Sequence, residues 1–238
     1  MSTKKVVDSF LDIIPSTASL SGGLDFPCAT DDFSSPSKGR MSMGKKTALL
    51  IMDFQNDFVT KEGIGSEDGC DMARMAGPVS KIPRLIQLGR EKGQEVIFVR
   101  FLGDKKYQLP NWMFRDKEFA KNPKCLEGTW GADIFPTIQP EAAERVFSKK
   151  AHFDAFLCPG FEQYLLEQGL EHLIFVGVYC DVCVDSTART GYQKGYFITV
   201  VSDCTTTLHL PEEESLRYMR RVYGARILKY EELVRMPA

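Results

Sequence analysis

The chain has 238 residues, 43% hydrophobic and 26% charged, an ordinary globular make-up with room for one large domain or a domain plus an extension. A formal net charge of −2 gives no electrostatic reason to expect nucleic acid or an acidic membrane surface as partner, and no apolar run is long enough to span a bilayer. Seven cysteines, an odd number scattered along the chain, fit reduced thiols in a cytoplasmic protein better than a disulfide framework.

Residues 1–44 read as a flexible N-terminal extension. Serines are frequent, Gly22-Gly23, Pro27 and Pro36 interrupt the pattern, and the start lacks the continuous apolar core of a secretory signal. Val6, Val7, Phe10, Leu11, Ile13 and Ile14 could make one short amphipathic helix. The globular domain is expected over residues 45–238.

From Thr47 onward, strand and helix patterns alternate. Residues 48–52 form a wholly apolar strand of the kind buried on both faces of a parallel sheet. Residues 78–92 are apolar at helical spacing and stop at Gly93, and residues 95–101 make the next strand. Residues 103–143 are irregular and rich in aromatics, a length that signals function or an insertion. A short strand follows at 145–148, then helix 161–168, strand 173–176, helix 182–194 and strand 197–201. Helix 211–223 opens on Pro211 with acids in its first turn, a good start signal, and strand 225–228 and a turn of helix at 231–234 close the chain. Repeated βα units predict an α/β fold, a three-layer α/β/α sandwich on a mainly parallel, roughly six-stranded Rossmann-like sheet. No G-x-G-x-x-G follows any strand, so a dinucleotide is not indicated.

Three strand ends carry chemistry. Asp53 directly follows the first apolar strand, where a carboxylate is costly unless partnered; it reads otherwise as a turn or N-cap residue. Lys150 lies just past the third strand and, alone, is a surface lysine. Cys183 follows the strand ending at Gly177, where a helix begins. Unpaired N–H groups and the positive end of the helix dipole there favour thiolate, the nucleophilic form; the alternative is a small buried hydrophobe. Parallel strands deliver their carboxyl ends to one rim, so acid, cation and thiol can converge there as a catalytic set. Cys180 and Cys183 form a lone C-x-x-C; with no second pair and three histidines, a structural zinc site is not expected.

D-F-Q-N-D-F (53–58), K-A-H-F-D-A-F (150–156) and G-V-Y-C-D-V-C-V (177–184), in this order and spacing, resemble the isochorismatase-like cysteine hydrolases over roughly residues 45–238. The resemblance implies a catalytic triad of Asp53, Lys150 and Cys183, a non-proline cis peptide at Val178–Tyr179, and an oxyanion hole from the backbone amides of Tyr179 and Cys183. Tyr179 and Cys180 stand where the family commonly has small residues or Thr. The metal ligands of nicotinamidases, an Asp and two His between the catalytic Asp and Lys, have no counterpart, since no histidine precedes His152. Neither metal nor organic cofactor is therefore expected.

C-L-E-G-T-W-G-A-D (125–133) and C-V-D-S-T-A-R (183–189) look most like the ureidoacrylate and biuret amidohydrolases. This implies cleavage of a carbon–nitrogen bond in a small polar amide or ureido substrate through a thioester, in an enzyme that is usually a homo-oligomer. Gln55, Phe58, Trp130, Phe153 and Arg189 are the candidate pocket residues; Arg189 could hold a substrate carboxylate or make a structural ion pair. The alternatives are an isochorismate hydrolase, which would survive loss of the cysteine, and a non-catalytic binding protein on the same fold.

Overall fold

The computed structural model describes residues 45–64 and 71–236; the N-terminal extension and its possible helix lie outside them. Six parallel strands form one sheet: β1 Thr47–Met52, β2 Glu95–Leu102, β3 Arg145–Lys150, β4 His172–Val178, β5 Phe197–Thr206 and β6 Arg226–Leu228. Their order is β3-β2-β1-β4-β5-β6, so β1 and β4 lie at the centre. The chain winds outward first to one side and then to the other, which makes the β1/β4 boundary the switch point where such sheets hold their ligands.

Side-chain alternation along β1 builds both outer layers. Ala48, Leu50 and Met52 face a core shared with helices α4 (Phe161–Glu167), α5 (Asp185–Gln193) and α6 (Glu212–Tyr223). Leu49 and Ile51 face the opposite core, which takes Ile82, Leu85 and Ile86 of helix α2 (Ala76–Glu91) and the apolar side of helix α7 (Tyr230–Val234). Two short helices, α1 (Asn56–Val59) and α3 (Pro110–Glu118), stand at the carboxyl rim of the sheet. Each large aliphatic or aromatic side chain fully buried this way contributes roughly 1.5–3 kcal/mol. Among the described residues no helix is long and apolar enough to cross a membrane.

The structure departs from the sequence expectations mainly at strand ends. β3 runs on to Lys150 and β5 to Thr206, beyond the predicted ends at 148 and 201. Their last residues are polar and still hydrogen-bond into the ladder, so hydropathy alone stops too early. The helix expected from residue 182 is preceded by a π-helical turn, Cys180–Val184, and becomes α-helical only at Asp185. The irregular segment 103–143 contains α3 and three short 3-10 turns, at Lys105–Tyr107, Trp130–Ala132 and Pro136–Ile138.

The first motif holds that segment in place. The Gln55 side-chain amide donates to the carbonyls of Phe101 (2.8 Å) and Ala132 (2.9 Å), and its oxygen accepts from Phe101 N (2.6 Å). Asn56 donates to the Trp130 carbonyl (2.8 Å), and the Asp57 carboxylate accepts from Cys125 N (2.6 Å). Gly131 approaches Asp57 so closely that a Cβ would stand 2.3 Å from Oδ1.

Candidate active site

β1 hands the chain to Asp53, whose backbone is left-handed at φ 47°, and β3 hands it to Ala151 at φ 52°. Non-glycine residues rarely adopt this region, and aspartate tolerates it better than most. Asp53 N still bonds to Val99 O (2.8 Å), so the turn begins while the backbone is tied to β2. On β4, Gly177 has φ 102° and a Cβ there would meet Met52 O at 2.1 Å; only glycine lets β4 pass this close to the end of β1. The Val178–Tyr179 peptide is cis, as the resemblance implied. The π turn then presents Cys183, 7% exposed, to the same rim.

The cation that meets Asp53 is Lys149. Its Nζ lies 2.6 Å from Asp53 Oδ2 and donates to the Phe153 carbonyl at 3.0 Å, with both charged side chains buried. Lys150, expected here, is exposed and places its ammonium 4.8 Å from the Tyr107 ring centroid. The reason is the period of two: with β3 extended through residue 150, consecutive lysines point to opposite faces.

Cys183 completes the cluster, its thiol interacting with both the Asp53 carboxylate and the Lys149 ammonium. Asp53 Oδ1 is buried without a hydrogen-bond partner among the described residues, an open acceptor in a site that holds a proton donor. Burial raises the Asp53 carboxyl above its usual range, against Lys149 and Cys183, which lower it. For Lys149 burial works against the ammonium, but the Asp53 and Cys183 charges outweigh it and the amine is held above its usual range. The Cys183 thiol is pushed well up by burial and by the Asp53 carboxylate, with Lys149 opposing. These directions favour the ammonium form of Lys149 and the neutral thiol of Cys183. The helix-start argument anticipated a depressed thiol; desolvation and the adjacent carboxylate win instead.

The loop after β3 is fastened to α5. Asp154 accepts from Phe156 N (2.9 Å) and from the Thr190 hydroxyl (2.6 Å), and Ala155 N donates to Thr187 (3.0 Å). His152 bonds through Nδ1 to the Asp154 carbonyl at 2.8 Å, and burial lowers its pKa. Cys180 faces away from the cluster, 3.6 Å from Met219 Sδ on α6. Asp181, between the two cysteines, accepts from the backbone N–H groups of Leu208 (2.8 Å), His209 (2.7 Å) and Leu210 (2.9 Å).

A cavity of about 500 Å³ opens onto Cys183. Phe58 and Phe153 line it, as expected. Gln55, Trp130 and Arg189 do not. Gln55 is spent on backbone groups, and Trp130 borders a separate recess with Arg100 and Pro136. Arg189 pairs with Asp185 and donates to the Tyr218 hydroxyl at 3.0 Å. Sequence reasoning expected segment 103–143 to supply much of the wall but singled out none of Phe101, Trp112, Arg115, Phe119, Lys124 and His209 as pocket residues, all of which line the cavity. Most come from the segment without periodicity; the one available signal was its density of aromatics. Among the described residues no group of three or more His, Cys, Asp or Glu could hold a metal ion.

A sheet of this order, with an acid, a lysine and a cysteine gathered at its switch point, defines a class of α/β hydrolase. A family profile for the isochorismatase domain matches residues 47–232, and the chain belongs to that family. The chain is 30% identical over 174 residues to the ureidoacrylate amidohydrolase RutB of Serratia proteamaculans (strain 568), covering 68% of this chain and 70% of that one. An isochorismatase family protein from Desulfovibrio vulgaris superposes with a TM-score of 0.68 at 26% identity, covering 79% of this chain and 96% of the other. N-carbamoylsarcosine amidase from Thermoplasma acidophilum shares the fold, with a TM-score of 0.65 at 22% identity, covering 78% and 97%.

Proposed function

We propose that this hydrolase cleaves a carbon–nitrogen bond of a small-molecule amide through a thioester on Cys183. The reading rests on one observation above all: a buried Asp53–Lys149 pair lies against the Cys183 thiol at the floor of a cavity. An ion pair costs free energy to bury, and a site of reaction is where that cost has a use. The amidohydrolase relative supports the bond type.

Asp53, its carboxyl raised toward neutrality, accepts the thiol proton as sulfur attacks the carbonyl carbon. Attack coupled to proton transfer does not need a thiolate at rest. Lys149 holds the carboxylate in place and balances the negative charge that develops on sulfur and oxygen. The backbone amides of Tyr179 and Cys183 serve as oxyanion donors. Asp53 returns the proton to the departing nitrogen, leaving amine and thioester; water then attacks the thioester, and the acid leaves as the thiol is restored. The hydrolase domain is residues 45–238, working as a homo-oligomer in the cytoplasm without metal or organic cofactor.

The test is a rapid acid quench during turnover of an amide, with the mass of the Cys183 peptide measured. An adduct of the acyl mass on Cys183, with ammonia or amine released, supports the reading. Isochorismate turnover that persists in Cys183→Ala, without amide hydrolysis in the parent enzyme, overturns it.

A further inference from the structure

The cavity wall is a connected run of aromatic rings. From Tyr179, four residues before the nucleophile, it passes to Phe58 (centroids 5.8 Å apart), Phe101 (6.1 Å), Trp112 (5.9 Å, stacked) and Phe153 (4.8 Å). Both ends are tied to the reaction centre. Tyr179 opens the turn that carries Cys183, and its hydroxyl donates to the Phe58 carbonyl at 3.3 Å. Phe153 accepts the Lys149 ammonium on its own carbonyl. The Arg115 guanidinium lies 4.0 Å from the Trp112 ring centroid, backing the ring, and its charge is matched by Asp116 at 2.5 Å.

Such a wall suits a small ureido acid poorly. Polar groups that leave water for an apolar lining cost free energy unless they find partners; most of the exposed lining is apolar, and its charged side chains, Arg115, Asp116, Lys121 and Lys124, are confined to residues 115–124. At about 500 Å³ the cavity lies within the ~300–1,000 Å³ range that takes drug-sized ligands. We infer that the substrate is an amide whose remainder is a planar apolar group larger than one six-membered ring, seated among Phe58, Phe101, Trp112 and Phe153. The amide carbonyl lies at Cys183 and the plane packs against the cavity-facing edges of these rings, Trp112 among them. This rests on the amidohydrolase reading for the bond cleaved, but the recognition itself is a binding property.

The test uses the full chain carrying Cys183→Ala, to prevent turnover, and Trp130→Phe. With two tryptophans in the sequence, this leaves Trp112 as reporter. Trp130 borders the separate recess and not the cavity. Naphthalene-2-carboxamide, benzamide and N-carbamoylglycine are titrated by fluorescence and by calorimetry. The naphthyl amide is expected to perturb Trp112 emission and to bind about ten-fold more tightly than benzamide, and more tightly still than the ureido acid. In the Trp130-containing protein, calorimetry on Trp112→Ala is expected to show about a ten-fold loss for the naphthyl amide, which Trp112→Phe largely restores. Equal or tighter binding of N-carbamoylglycine overturns the inference, as does naphthyl affinity unaffected by Trp112→Ala. Tight naphthyl binding in a protein that hydrolyses no amide would leave this inference standing and refute the amidohydrolase reading.

Discussion

Lys149 Nζ lies 2.6 Å from Asp53 Oδ2 across the carboxyl rim of the sheet, and both side chains are buried. Lys149→Ala leaves a buried carboxylate unpaired, and breaking such a pair costs roughly 3–5 kcal/mol. Urea unfolding is expected to show that loss, and amide hydrolysis to fall by about 10²-fold or more. Lys150→Ala removes an exposed ammonium beside Tyr107 and is expected to stay within about 0.5 kcal/mol of wild type, with activity retained. The reverse pattern would restore Lys150 to the site.

Thiol ionisation should respond to Asp53 in a counter-intuitive way. The carboxylate beside Cys183 raises the thiol pKa and Lys149 lowers it. In Asp53→Asn the raising charge is gone while the lowering one stays, so iodoacetamide alkylation of Cys183 is expected to begin at lower pH than in wild type. Hydrolysis should be lost in the same variant, because the proton acceptor is gone. An alkylation profile that stays put or moves to higher pH contradicts this charge arrangement.

Alkaline stability follows from the buried thiols. Burial pushes Cys158 and Cys180 to about 12, and Cys183 and Cys204 are also raised from about 9. A folded pKa above the unfolded one means that the native state holds the proton more tightly. The resulting stabilisation is fully present below about pH 9 and is lost as pH rises toward the folded values. Each such group adds about 1.4 kcal/mol per pH unit to the slope in that window. Unfolding free energy by urea should drop steeply between about pH 9 and 11, and Cys180→Ala should flatten the slope by one proton's worth. A midpoint constant over that range would contradict it.

Asp181 links the nucleophile's turn to the far wall of the cavity, holding the N–H groups of residues 208–210 while Leu208 and His209 line the space. Asp181→Ala is expected to raise KM more than it lowers kcat. Asp181→Asn, which keeps one accepting oxygen, should recover part of the difference. Equal losses in kcat and kcat/KM would mean that Asp181 acts on the chemistry and not on the wall.

Much of the architecture was readable from pattern because β1 and β4 are continuous apolar runs and glycines or acidic first turns punctuate the helices. Asp53 and Cys183 were singled out for the same reason: Asp53 stands directly beyond β1 and Cys183 in the turn that follows β4, strands whose ends hydropathy marks well. The strand with a polar end was misjudged. R-V-F-S-K-K has no hydrophobic contrast at its last two positions; the strand runs two residues past the expected stop, and alternation along those residues decides which lysine turns inward. Lys149 is buried because Asp53 and the Phe153 carbonyl wait for it there; Asp53 lies 96 positions away in the sequence, and the Phe153 carbonyl, four residues on, reaches it because the chain turns at Ala151.

The pocket lay further out of reach. Segment 103–143 takes its shape from Gln55, Asn56 and Asp57, which bind its backbone from 68 to 77 positions away in the chain. No local periodicity records such bonds, so Gln55 read as a substrate ligand and Trp112 only as one aromatic among several in an irregular segment. The thiol's charge state belongs to the tertiary level for the same reason. The helix-end field is a local property of the chain, whereas desolvation and the Asp53 carboxylate exist only once β1, β3 and the π turn have met, and in that enclosed space they outweigh it.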